Sequence, residues 1–340
     1  MKKLLLLAVS LVVMSGCGFL AEGETTAKPE TFKEVATNLQ VPWSINQVDD
    51  EFYISERVGT IAYVKADGTV EHQEVEFSSP LANVSEAGLL GFILKPTFSE
   101  TKTAFAYYNY DEGEGPFNRI VTLKLVGNVW QETDIHLEGI STGNVHHGGR
   151  LEMGPDNLLY ATIGDASNPN LAQDPTSKNG KILRLNANSQ WETVSLGHRN
   201  PQGLAWSDDG VLFASEHGQS AKDEINKIEQ GQNYGWPLIE GSEEREGFVA
   251  PLLHSGENTT WAPSGMTFHK GKLYIAALRG EGILVVNVET AELEETITGF
   301  GRIRDVFSNG EELYFISNNT DGRGKAHEND DKLYQYVDKK

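Results

Sequence analysis

Six times along this 340-residue chain, an apolar approach segment, a tight turn and a second segment centred on an aromatic residue follow one another. The clearest copy runs from Gly149-Arg150-Leu151 to Leu159-Tyr160-Ala161-Thr162. Its two alternating apolar runs flank a Gly154-Pro155-Asp156-Asn157 turn, whose residues supply tight-turn dihedrals. The other copies lead from Trp43-Ser44-Ile45 to Phe52-Tyr53-Ile54, from Leu89-Leu90-Gly91 to Ala106-Tyr107-Tyr108, from Gln202-Gly203-Leu204 to Leu212-Phe213-Ala214, from Ser264-Gly265-Met266 to Leu273-Tyr274-Ile275, and from Ile303-Arg304-Asp305 to Leu313-Tyr314-Phe315. The matching aromatics Tyr53, Tyr107, Tyr160, Phe213, Tyr274 and Tyr314 lie 54, 53, 53, 61 and 40 residues apart. Each interval suits four short antiparallel strands with their loops, which is one blade of a β-propeller. Thr60-Ile61-Ala62-Tyr63-Val64, Ile182-Leu183-Arg184-Leu185 and Ile283-Leu284-Val285-Val286 supply further strands between the hairpins. The expected fold is therefore all-β, a six-bladed β-propeller with four-stranded antiparallel blades, forming one domain over residues 33–340. Paired β-sandwiches would also give many strands, but not six matched hairpins.

The first residues read as a processing signal. Lys2 and Lys3 precede an apolar run over residues 4–14, and Ser15-Gly16-Cys17 follows. That run is too short to span a bilayer comfortably. The small residues before Cys17 resemble a bacterial lipobox. Residues 1–16 are thus expected as a lipoprotein signal peptide, with lipidated Cys17 and a flexible tether over residues 17–32. Cys17 is the only cysteine, which excludes an internal disulfide. Removing residues 1–16 would take the net charge from −21 to −23, because only two lysines are lost. Such a balance argues against nucleic acid and anionic lipid surfaces. Membrane contact is expected through the lipid anchor only, on the extracytoplasmic side.

A closed ring of blades has no long free edge, and its loops converge at one mouth. Three polar clusters fall on such loops: His146-His147-Gly148-Gly149-Arg150, Gly197-His198-Arg199-Asn200-Pro201-Gln202-Gly203, and Gly301-Arg302-Ile303-Arg304-Asp305. A lone histidine is usually a satisfied structural residue. A guanidinium beside an amide suits an anionic ligand. Period-two spacing would put Arg302 and Arg304 on one strand face, where they repel unless carboxylates meet them.

Together with Glu86-Ala87-Gly88-Leu89-Leu90-Gly91, Asp223-Glu224-Ile225-Asn226 and Asn233-Tyr234-Gly235-Trp236-Pro237, these clusters resemble the soluble pyrroloquinoline quinone-dependent aldose dehydrogenases of glucose/sorbosone type. The resemblance runs from Val41 to about Gly324. It implies a six-bladed quinoprotein that oxidises the anomeric hydroxyl of aldose sugars to lactones and passes electrons to an external acceptor. By position, His146 corresponds to the catalytic base, and Arg199 and Asn200 to contacts with the quinone oxygens and carboxylates. Arg302 and Arg304 correspond to carboxylate clamps, and Arg279 to a basic cofactor contact. Gly218 and Gln219 match the turn whose carbonyls hold the cofactor's calcium ion, while Glu224 and Tyr234 match a second calcium position. Glu86 stands where close relatives carry Gln, and a negative charge there needs pairing or protonation. Gln219 stands where the family often has Pro. The residue types suit this chemistry on their own terms, since guanidiniums orient carboxylates bidentately and Ca2+ takes oxygen ligands.

Two other classes fit a propeller of this kind. A calcium-dependent lactonase or esterase would use acidic ligands and a histidine base, but has no need of Arg199, Arg302 and Arg304 together. A non-catalytic cell-surface binding propeller has no need of a histidine facing arginines. Gly280-Glu281-Gly282 is only a fragment of a dinucleotide fingerprint, and neither an HExxH nor a GxSxG motif is present.

Overall fold

Each recurring unit folds as the innermost hairpin of a four-stranded antiparallel sheet, as its alternating apolar pattern requires. A computed structural model describes residues 31–337, so the expected signal peptide and Cys17 lie outside the described residues. Six blades follow in chain order, over residues 42–76, 89–141, 148–196, 201–254, 263–298 and 303–336. Their innermost strands are Pro42–Val48, Leu89–Leu94, Gly148–Met153, Pro201–Trp206, Pro263–His269 and Ile303–Ser308. Each of these neighbours the next around the ring, and the sixth returns to the first.

The ring is closed by the two ends of the chain. The sixth blade has only three strands of its own, and its outer strand is Phe32–Ala36, paired antiparallel with Leu333–Tyr336. Phe32 therefore does not belong to a tether. Its ring packs against Phe300, Phe315 and Tyr336 at 4.8, 5.7 and 5.2 Å. The first two blades are also joined at their outer strands, where Val70–Glu76 and Val129–Ser141 pair in parallel. Between blades the core is apolar. Trp43, Leu90, Tyr107, Leu151, Ile163 and Leu183 form one such seam, and each buried side chain of this size contributes about 1.5–3 kcal/mol.

All six innermost hairpins carry a register slip at the same end of the inner strand, between Pro42 and Ser44, Leu89 and Phe92, Gly148 and Leu151, Pro201 and Gly203, Pro263 and Met266, and Ile303 and Asp305. A bulge re-aims side chains, and here it turns consecutive residues toward the axis. Trp43, Leu90, Gln202 and Arg304 are equivalent residues of their blades, and all four line one cavity. The next residue along supplies a second layer. Arg150 of the third blade pairs at 3.1 Å with Asp305 of the sixth, directly across the ring. Arg150 also donates to Gln202 O (2.9 Å) and Ser44 Oγ (3.2 Å), and its guanidinium lies 4.4 Å from the Trp43 ring centroid. Gly265 makes room for this pair, because a Cβ there would sit 1.7 Å from Asp305 Oδ1. Arg150 is thus an internal brace beneath the cavity floor.

Candidate active site

The cavity at this mouth is a narrow, polar-lined cleft between the innermost strands and the loops that follow them. Its floor is the Trp43, Leu90, Gln202 and Arg304 layer. Its wall includes Arg57, His217 and Leu278, which occupy equivalent positions just past the second strands of the first, fourth and fifth blades. Glu86, His147 and Arg323 come from loops, and Gly148 opens the inner strand of the third blade.

His146 immediately precedes the lining residues His147 and Gly148. Its backbone is left-handed, with φ 65°, and its carbonyl passes so close to Gly164 that a Cβ there would lie 2.0 Å from it. The imidazole Nδ1 is 2.8 Å from Asp165 Oδ1. Asp165 is fully buried and also accepts Ser167 N at 2.9 Å and the Trp236 indole N–H at 2.9 Å. A carboxylate accepts only, so Nδ1 carries the hydrogen and neutral His146 presents the Nε2 lone pair. That nitrogen has no partner among the described residues, and the side chain is 17% exposed. His147 is arranged differently. Its Nε2 meets Ser85 O and its Nδ1 meets Thr142 Oγ1, at 2.8 and 2.7 Å. Burial pushes its pKa down, so it is a neutral brace between two loops.

The Gly197–Gly203 cluster is organised by Glu216. This buried carboxylate accepts His198 Nδ1 (2.8 Å), the Arg199 amide (2.8 Å) and Asn226 Nδ2 (2.8 Å). The Arg199 guanidinium lies over the Trp236 ring, 5.3 Å from its centroid, and burial lowers its pKa, with the Asp165 charge opposing. Asn200 Oδ1 accepts the Gly148 amide at 3.0 Å, joining this cluster to the His146 loop. Opposite Asn200 stands His217, whose imidazole burial pushes to lower pKa and hence to the neutral form.

Arg302 and Arg304 both act on Asp321 but take different hydrogen-bond partners. The bulge sends them to different partners. Arg302 is taken by Asp321 at 2.7 Å and by the Leu278 carbonyl at 3.0 Å, and does not line the cavity. Arg304 reaches Gln202 Oε1 at 3.0 Å and Ser264 Oγ at 3.3 Å on the cavity floor. Burial lowers its pKa to about 9, with Arg57 adding to the effect. Arg279 is exposed, and it is Leu278 that faces the cavity. The question of an unpaired charge at Glu86 is answered by Arg323, 2.6 Å away. Burial alone would raise Glu86, but the Arg323 hydrogen bond and charge override it and hold the carboxyl at about 2.

Eleven buried side-chain polar atoms among the described residues have no hydrogen-bond partner. Five of them belong to this mouth and its support: Arg199 Nε, Asn200 Nδ2, His217 Nε2, Arg302 Nε and Arg304 Nε. Unmet buried donors cost about 1–3 kcal/mol each; those of His217 and Arg304 belong to residues lining the cavity, and an oxygen-rich anionic ligand there would suit them.

The expected cation positions divide. The Gly218 and Gln219 amides turn to Asp223 Oδ1 (2.9 Å) and Glu240 Oε1 (3.2 Å), while neither residue's carbonyl accepts a hydrogen bond among the described residues. Two adjacent unused carbonyls beside His217 are suitable hard donors. Glu224 is buried next to Glu216, and burial and that like charge push its pKa up. The Tyr234 hydroxyl is already committed to Lys227 O at 2.5 Å and the Glu229 amide at 2.9 Å, so only its backbone remains for a cation. No group of three or more His, Cys, Asp or Glu side chains among the described residues is placed to hold a metal.

Asp165, Arg57, His217 and Arg323 carry no signal in isolation. Asp165 is set opposite His146 by the bulge. The Met153–Leu159 register, continued unchanged, would place Ala166 there, and the slip to Gly148–Ile163 brings Asp165 instead.

A family model described as Glucose / Sorbosone dehydrogenase matches residues 39–326. Quinoprotein glucose dehydrogenase B of Acinetobacter calcoaceticus is 32% identical over 296 residues, covering 72% of this chain and 61% of that protein. Aldose sugar dehydrogenase YliI of Escherichia coli (strain K12) is 29% identical over 298 residues, covering 72% of this chain and 80% of that protein. The PQQ-bound form of an aldose sugar dehydrogenase from Streptomyces coelicolor superposes with a TM-score of 0.81 at 34% identity, covering 89% of this chain and 96% of that one. With its six blades and its arginine-lined mouth, this chain belongs to the glucose/sorbosone dehydrogenase family.

Proposed function

We propose that the protein is a quinoprotein oxidoreductase that oxidises the anomeric hydroxyl of an aldose sugar to the lactone, with pyrroloquinoline quinone and Ca2+ as cofactors. The observation that carries this reading is His146, its Nδ1 held by Asp165, next in the chain to a cavity lined by His217 and Arg304 with unmet donors, and tied through Asn200 to the loop that bears Arg199. The relatives named above support it. When bound, the quinone supplies the acceptor for the hydride leaving the sugar C1.

The chain's own residues do the rest. Asp165 keeps the Nδ1 hydrogen of His146 engaged, so Nε2 takes the proton of the anomeric hydroxyl. Arg199 and Arg304 would set positive charge against the cofactor's oxygens, and Asn200 Nδ2 would add a neutral donor. The Gly218 and Gln219 carbonyls would hold the cofactor's calcium ion, and Glu224 a second ion that relieves its repulsion with Glu216. Leu90 and Trp43 supply apolar surface to the cavity and exclude water there. By the same reading the protein is held outside the cytoplasmic membrane through lipid on Cys17, and an external acceptor removes the electrons.

Reconstitution tests this directly. Purified protein is loaded with Ca2+ and the quinone, and dye reduction is followed with a panel of aldoses. The expected result is a cofactor spectral change on loading and aldose-dependent reduction. No spectral change and no reduction with any aldose would overturn the reading.

A further inference from the structure

Trp236 belongs to no site assigned so far, yet it touches both halves of the proposed machinery. Its indole N–H donates to Asp165 Oδ2 at 2.9 Å, on the carboxylate whose other oxygen holds His146. Its ring carries the Arg199 guanidinium, 5.3 Å from the centroid. Its backbone repeats the pattern. The Trp236 amide donates to Gly197 O at 3.0 Å, in the loop that bears Arg199, and its carbonyl accepts Gln173 Nε2 at 2.6 Å, in the segment that follows Asp165. The two loops also meet directly, through the Asp165 amide and Arg199 O at 2.8 Å.

We propose that Trp236 is a positioning residue for both sides of the reaction, fixing through its N–H the carboxylate that aims His146 and seating through its ring the guanidinium of Arg199. This rests on the dehydrogenase reading for its consequence but not for its geometry. A buried tryptophan needed only to fill space would be served by any acceptor. Here the acceptor is the one carboxylate that controls the His146 tautomer, and the ring face is occupied by the cation facing the same mouth. The charged group in contact with His146 is Asp165, after the second strand of its hairpin; Arg199, before the fourth blade, is in turn acted on by Asp165, and neutral His147 is adjacent in sequence.

The indole N–H shares the negative charge of Asp165. Without it, more of that charge falls on the imidazolium, and the His146 pKa rises.

The test replaces Trp236 with benzothienylalanine, which keeps the bicyclic shape and removes only the N–H donor, and uses Trp236→Phe as a second variant. Side-chain 15N NMR titration of His146 is run on the protein without cofactor. The expected result in both variants is a His146 pKa raised by about half a unit or more. In the loaded enzyme, kcat falls about tenfold with KM unchanged, because the base is mis-aimed and not the sugar site. Trp236→Leu, which also removes the ring face, additionally weakens quinone binding about tenfold. An unshifted His146 in the benzothienylalanine protein overturns the proposal whether or not aldoses are oxidised. A shifted His146 in a protein that oxidises no aldose overturns the functional reading alone.

Discussion

Two histidines in this propeller are held in the same way on one side. His146 and His198 each present Nδ1 to a buried carboxylate at 2.8 Å, Asp165 and Glu216 respectively. They differ at the other nitrogen. His198 is fully buried, its Nε2 ends on Ser195 Oγ at 2.8 Å, and its ring stacks on Tyr234 with centroids 5.0 Å apart. His146 is 17% exposed, and its Nε2 meets no described residue. Pairing with a carboxylate is therefore no mark of a base. Ser195, His198 and Glu216 have the order of a nucleophilic triad, but their burial makes them a girder for Arg199 and Asn200.

The largest difference should be seen in folding. His198→Ala leaves Glu216 buried with one fewer donor and opens a void under Tyr234, and should destabilise the protein by about 3 kcal/mol or more in urea unfolding. His146→Ala should stay within about 1 kcal/mol, because Asp165 keeps its Trp236 and Ser167 donors. Equal losses would break the distinction.

Next comes the ligand side of the mouth. Arg304→Leu removes a charge-assisted contact worth about 1.5–3 kcal/mol, so quinone affinity should fall ten- to hundredfold in a spectral titration. Arg150→Leu, which removes the brace below the floor, should instead lower stability by stranding Asp305. If Arg304→Leu binds quinone as well as the natural protein does, the orphaned donors have another purpose.

The smallest effect is at the rim. The Glu86 carboxyl is held at about 2 in the folded protein, below its ordinary value of 4.5. A depressed folded pKa contributes stability that is present above 4.5 and lost as pH falls toward 2. Thermal melting of the natural protein should thus fall faster than that of Glu86→Gln between pH 4.5 and 2. Parallel curves would show that Arg323 and Glu86 are not coupled in solution.

The blades were legible because a hairpin is a local event, and its turn and alternation repeat in the chain. Two irregularities in the spacing also have physical causes. The 61-residue step contains the long connection ahead of the two-residue strand Leu253–His254. The 40-residue step is set by the compact fifth blade, which fits four strands into residues 263–298, and the sixth blade takes its outer strand from Phe32–Ala36, a pairing that no local pattern announces. At the site, His146, Arg199, Asn200 and Arg304 stood out as dense polar clusters on loops. Asp165, His217 and Arg57 did not, because their roles come from a one-residue bulge or from ring closure. Arg302 and Arg304, on either side of a bulge, take different hydrogen-bond partners, while both charges act on Asp321, the carboxylate that two neighbouring guanidiniums need. Arg279 is exposed beside Leu278, which lines the cavity.

The contrast between the two histidines is tested most directly by aldose-dependent dye reduction in His146→Ala, with quinone occupancy matched spectrally to the natural protein. The account predicts a retained cofactor spectrum and a turnover lower by about a hundredfold or more, the scale of a positioned base. A rate within about threefold of the natural protein at equal occupancy would contradict it, since that is far less than a positioned base contributes.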